Sequence, residues 1–186
     1  MQQELMEEKT RPNALAFKIA IVFSIYILVL MVIVRALGIN LQSEDTPTLY
    51  KVVSGILNWA PFILAIYYVQ ITHKKELGGF ITYGRGFSAG FKFAAYGGLF
   101  TGIFIFLYYQ FIDQAGVQEI MDAALAKANG DENQIKGIEM MRPYFTISAA
   151  FGSAVMFTIT GLIISLISAA VVKKERPLNF VEAEEI

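Results

Sequence analysis

The chain has 186 residues, of which 55% are hydrophobic without counting glycine and only 17% are charged. Its mean hydropathy is +0.52, whereas a soluble domain carries about 25% charged residues and a smaller apolar share; neither an ordinary globule nor a disordered chain fits. A net charge of −1 gives no basic field for nucleic acid, the absence of cysteine removes disulfides and thiolate chemistry, and a single histidine leaves little for a metal site or proton relay.

Four gaps in the charge pattern set the architecture. No Asp, Glu, Lys, Arg or His lies between Lys18 and Arg35, Lys51 and His73, Lys92 and Asp113, or Arg142 and Lys173. A bilayer core of about 30 Å needs about 20 helical residues. The last three gaps reach that length. The first has 16 residues and is extended by Ala14 to Phe17, with Lys18 reaching back to the headgroups. The fold expected is all-α: an integral membrane four-helix bundle with an amphipathic helical hairpin between spans three and four. Residues 1–13 form a cytoplasmic N-terminal segment, 14–172 the transmembrane domain, and 173–186 a cytoplasmic tail. The spans fall at about 14–35, 52–72, 90–112 and 146–172, with an outer helical loop over 113–143. The leader carries Glu4, Glu7 and Glu8 and no A-x-A site, so the first span is expected to be retained.

Lys and Arg near the span ends give the orientation. Ten lie at the N-terminus, in the loop between spans two and three, and at the C-terminus; five lie on the opposite side. Both termini are therefore expected in the cytoplasm. Tyr50, Tyr67, Tyr68, Tyr108, Tyr109 and Tyr144 fall near the span boundaries as interface anchors.

The second span carries Asn58, Trp59 and Pro61. Proline removes a backbone donor and crowds the preceding turn, so a kink is expected at Pro61. Asn58, Thr101 and Gln110 are the candidate polar lining of a small cavity; the plainer use of such groups is hydrogen bonding between helices, worth about 0.6 kcal/mol each. No acidic or basic residue sits near the centre of a span, where proton relays and coupled carriers normally place one.

The loop after span two has Gly78-Gly79 as a turn, then a helix beginning near Thr82 that enters span three. Gly84-Arg85-Gly86 lacks the spacing of a phosphate-binding loop. Phe80, Phe87 and Phe91 are placed in the interface, and His73, next to two lysines, is expected to be solvated. Span three carries small residues at Gly90, Ala94, Gly98 and Gly102; span four carries Ser153, Gly161, Ser165 and Ala169. Small residues let helix backbones approach closely in lipid, so these two faces are expected to meet, with a homo-oligomer as the rival use.

In the outer loop, Val117, Ile120, Met121, Ala124, Leu125 and Ala128 form one helical stripe. Asn129-Gly130 ends that helix, Asp131 caps a second one bearing Ile135, Ile138 and Met141, and Pro143 opens span four. Asp131 and Glu132 read as a solvated turn rather than a cation site.

The run GGFITYGRGFSAGFKFAAYGGLFTGIFIFLYYQFI, the outer helical segment and GLIISLISAAVVKKERP together resemble the bacterial domain-of-unknown-function family 4199 over about residues 14 to 177. The resemblance implies a small four-span inner-membrane protein with a longer outer loop between its last two spans. It implies no catalytic residue and no cofactor.

Three functions are open to such a chain. The one expected is a non-catalytic envelope scaffold or accessory subunit in the bacterial inner membrane, with the lipid bilayer and a membrane protein or second copy as partners. The alternative is a small permease or channel for a neutral or lipid-like solute. A lipid-acting enzyme would have only Asp113 with Glu119, or His73 with Glu76, as compact acid–base pairs.

Overall fold

Helix formation follows the apolar runs, and glycine closes the first two of them. The computed structural model describes residues 11–41, 43 and 46–175; the terminal segments up to residue 10 and from 176 onward, including most of the expected acidic tail, lie outside them. Helix α1 (Asn13–Ala36) follows Pro12 and stops at Gly38, whose φ of +70° lets Gly38 and Ile39 donate back to the Arg35 and Val34 carbonyls. Helix α2 (Thr48–Glu76) ends the same way, with Gly78 at φ +77° and the Gly78 and Gly79 amides on the Lys75 and Lys74 carbonyls. Helix α3 (Tyr83–Leu107) starts on the Thr82 side chain, which accepts from the Arg85 amide, and runs into a π-helical turn over Tyr108–Ile112.

A hairpin follows: α4 (Gln114–Lys127), a turn through Asn129 and Gly130, and α5 (Glu132–Met141). The Asp113 carboxylate caps α4, and Asp131 caps α5 by accepting from the Asn133 and Gln134 amides. A 3₁₀ turn at Arg142–Tyr144 with Pro143 leads into α6 (Phe145–Val172). At the opposite end of the bundle, Ile81 and Lys174 exchange two backbone hydrogen bonds of 2.9 Å, tying the start of α3 to the end of α6.

The chain is thus all-α, and α1, α2, α3 with its π turn, and α6 are long and apolar enough to cross a membrane. Their outward surfaces are apolar: Leu64 is 65% exposed and Val171 72%. Helices α2 and α3 extend past the expected spans at the end carrying the Gly78 turn. There His73 and the charged residues Lys74, Lys75 and Arg85 are accommodated within helical turns instead of ending them.

Helix α3 is central, packing most extensively on α6, then on α1 and α2. The α3–α6 contact is made turn by turn. A Cβ added at Gly86 would touch Ala169; at Gly90 it would lie 2.8 Å from Ser165 Oγ and 2.7 Å from Gln70 Nε2. Ala94 fills the space beside Gly161, while Gly98 faces the Ala154 carbonyl and Thr158, and Gly102 the Ala150 carbonyl. Ser153 is the exception among the expected packing residues, being only half-buried. Eight residues from Gly161, at 3.6 per turn, place it about 80° round the helix, whereas Ala154 and Ala150 return to within about 20° of Gly161.

One ring from each long helix meets at the core. Phe23 of α1, Phe62 of α2, Phe93 of α3 and Phe157 of α6 lie with centroids 5.0–5.9 Å apart in five of their six pairings. Trp59 packs on Phe62 and Phe157. Such contacts add roughly 0.5–1.5 kcal/mol per pair to what area burial gives.

Helix α2 stays helical on both sides of Pro61. The Leu57 carbonyl, which a residue-61 amide would normally engage, accepts instead from the Tyr26 hydroxyl at 2.7 Å.

Candidate functional site

Arg35, the last charged residue of α1, organises the hairpin end. Its position at the close of an apolar run puts a guanidinium where the bundle meets α4. Both terminal nitrogens donate to Glu119, at 2.8 and 2.9 Å, in a bidentate pair. Its Nε lies 3.2 Å from Asp113 Oδ1. The Tyr108 hydroxyl donates to Asp113 Oδ2 at 3.1 Å, so that carboxylate serves α4, Arg35 and the π turn together. Hydrogen bonding from Arg35 holds the Glu119 carboxyl below its ordinary range. A second arginine secures α4 from the other side: Arg142 donates to Gln118 at 2.9 Å and to Asp122 at 3.4 Å.

These groups border a cavity of about 170 Å³ between α1, α2, the π turn and α4. Arg35, Asn58, Tyr108, Tyr109, Asp113 and Glu119 give its polar wall, and Leu30, Val34 and Ile120 are part of its apolar wall. The Asn58 Oδ1 atom is buried and accepts no hydrogen bond. Among the described residues, no three His, Asp or Glu side chains converge as a metal-binding group.

The three expected lining residues are not brought together. Asn58 borders this cavity. Thr101 is fully buried elsewhere, its hydroxyl 3.1 Å from that of Ser24, which also donates to the Gly97 carbonyl at 3.3 Å. Gln110 is exposed, with its carbonyl accepting from Gln114. Nine residues separate Thr101 and Gln110, about two and a half helical turns, which puts them on opposite faces.

His73 is a second departure from expectation. It is 1% exposed, not solvated, and its Nδ1 lies 3.2 Å from Glu76 Oε2. The reason is spacing: Phe62, Ile66, Val69, Gln70 and His73 form one buried stripe along α2. Gln70, also fully buried, donates to the Gly86 carbonyl at 3.1 Å and the Ser165 carbonyl at 3.2 Å, so one α2 side chain bridges α3 and α6. Lys74 donates to the Val172 carbonyl at 2.7 Å at the end of α6.

Asp113 and Glu119 stand out in the sequence as a compact acidic pair; Arg35, 84 residues from Glu119, does not stand out beside them. The available signal was a lone arginine closing an apolar run on the same side as an acidic loop.

No curated protein and no solved structure matches the chain. Residues 18–174 match the family model described as Protein of unknown function (DUF4199). The match spans most of the four-helix bundle and the whole hairpin, and the chain belongs to that family.

Proposed function

We propose that this chain is a non-catalytic multi-pass protein of the bacterial inner membrane, with both termini in the cytoplasm, acting as an envelope scaffold or accessory subunit. The observation that carries the reading is the ring cluster of Phe23, Phe62, Phe93 and Phe157, which fills the middle of the bundle where a solute would have to pass. The clamped hairpin supports the same role. Arg35 and Arg142 hold α4 against the bundle, while α5 buries none of its residues and keeps Met140 and Met141 exposed. Crosslinking in mild detergent followed by affinity capture tests it: a reproducible complex, lost on deletion of residues 114–141, is expected. A chain that runs alone, and whose removal changes no complex, would overturn the reading.

The permease reading is favoured by one observation, the cavity beside Arg35. It predicts solute flux into liposomes that falls when Asn58 is replaced by leucine. Flux indifferent to that change removes it.

A further inference from the structure

We propose that the cavity beside Arg35 binds an ammonium-bearing amphiphile. The charge at its wall decides the sign. Arg35 contributes one positive charge against two carboxylates, and its Nε and both terminal nitrogens are already engaged by Asp113 and Glu119. An incoming carboxylate or phosphate would meet a guanidinium that is already neutralised and a surplus negative charge beside it. An ammonium meets the reverse: a net negative wall, the aromatic residues Tyr108 and Tyr109 in the lining, and Asn58, whose Oδ1 accepts no hydrogen bond. Aromatic faces attract cations through their quadrupole, most strongly where water is excluded.

The rest of the wall sets the other half of the ligand. Leu30, Val34 and Ile120 border the same space, so the group attached to the ammonium is apolar. At about 170 Å³ the cavity suits a headgroup and its first few carbons, not a whole lipid. Discrimination rests on repulsion of the wrong charge as much as on attraction of the right one. A free alkylamine supplies this chemistry; the ethanolamine headgroup of a phospholipid carries a phosphate two carbons from its ammonium, which the same negative wall repels. The site does not depend on the scaffold role.

The test uses the full chain in nonionic detergent. Titration calorimetry with hexylammonium chloride is expected to give saturable binding, and sodium hexanoate none. Ile120→Arg places a cation on the apolar wall without touching the Arg35 pairs, and should weaken hexylammonium binding by about tenfold or more. Glu119→Gln should weaken it by a similar factor, through loss of the surplus charge and of the Arg35 pair that docks α4, so Ile120→Arg carries the charge test. Native mass spectrometry distinguishes a free amine from a phospholipid: hexylammonium binding without preference for phosphatidylethanolamine over phosphatidylglycerol supports the amine, and retention of phosphatidylethanolamine that Ile120→Arg abolishes overturns it. Equal binding of hexanoate and hexylammonium by the unaltered chain overturns the proposal, whatever the variants do. So does hexylammonium binding that neither substitution weakens.

Discussion

The Tyr26 hydroxyl donates to the Leu57 carbonyl, the acceptor that Pro61 leaves without its helical amide. A proline within a long apolar helix is tolerated because a neighbouring helix supplies the missing donor. The bond is a site of coupling between α1 and α2 as well as a repair.

Removing that donor should expose the defect. Tyr26→Phe is expected to cost about 1 kcal/mol in detergent unfolding. Pro61→Ala restores an amide at position 61, so adding Tyr26→Phe to it should cost close to nothing. Equal losses in both backgrounds would show that the hydroxyl does not serve the freed carbonyl.

The α3–α6 contact gives a steric prediction. Gly161→Ala drives a methyl into Ala94, and Gly98→Ala puts one 2.6 Å from the Ala154 carbonyl. Each should destabilise by about 1–3 kcal/mol, and Ala94→Gly should recover part of the Gly161→Ala loss. Gly152→Ala meets nothing within 4 Å and should be neutral or slightly stabilising. Thermal unfolding of the four variants reads the pattern.

Acid should release the hairpin. The Glu119 carboxyl is held below its ordinary value of 4.5 by hydrogen bonding from Arg35. A depressed folded value means that the pairing stabilises docking above pH 4.5 and loses that contribution as pH falls through the lower, folded value. Protection factors in α4, which divide out the intrinsic pH dependence of amide exchange, should therefore fall on acidification below pH 4.5, and Glu119→Gln should show low protection at neutral pH with a smaller acid response. An acid response unchanged by Glu119→Gln would assign it to another group.

Orientation can be read by labelling, because the chain has no cysteine. Cysteine at exposed Ala126 should react with an impermeant thiol reagent applied from outside, and cysteine at exposed Lys75 should not. Lys75 is a better position than Gly79, whose φ of +87° disfavours any side chain. The opposite labelling pattern would invert the topology.

What the sequence made legible was periodic or local. Charge gaps marked the long helices, Gly78 marked a turn, and Asp131 marked a helix start, each visible within a few residues. Contacts across the fold were less accessible. Arg35 and Glu119 are too far apart in the chain for spacing to link them. The lysine neighbours of His73 suggest solvation, but its place on the α2 stripe decides its burial. Gln110 and Thr101 share a polar character, but helical rotation sets them on opposite sides. Ser153 lies two four-residue steps before Gly161, whereas α6 continues its contact with α3 through Ala154 and Ala150, seven and eleven residues before Gly161.

The four-ring core has a consequence for assembly. Phe157 leaves the ribosome after the other three rings, so Phe23, Phe62 and Phe93 must wait with one quadrant of their cluster empty. A nascent chain lacking α6 would present lipid with an unfilled aromatic socket. Truncation before that helix should therefore yield a loosened three-helix intermediate, because the cluster closes only once α6 has been made.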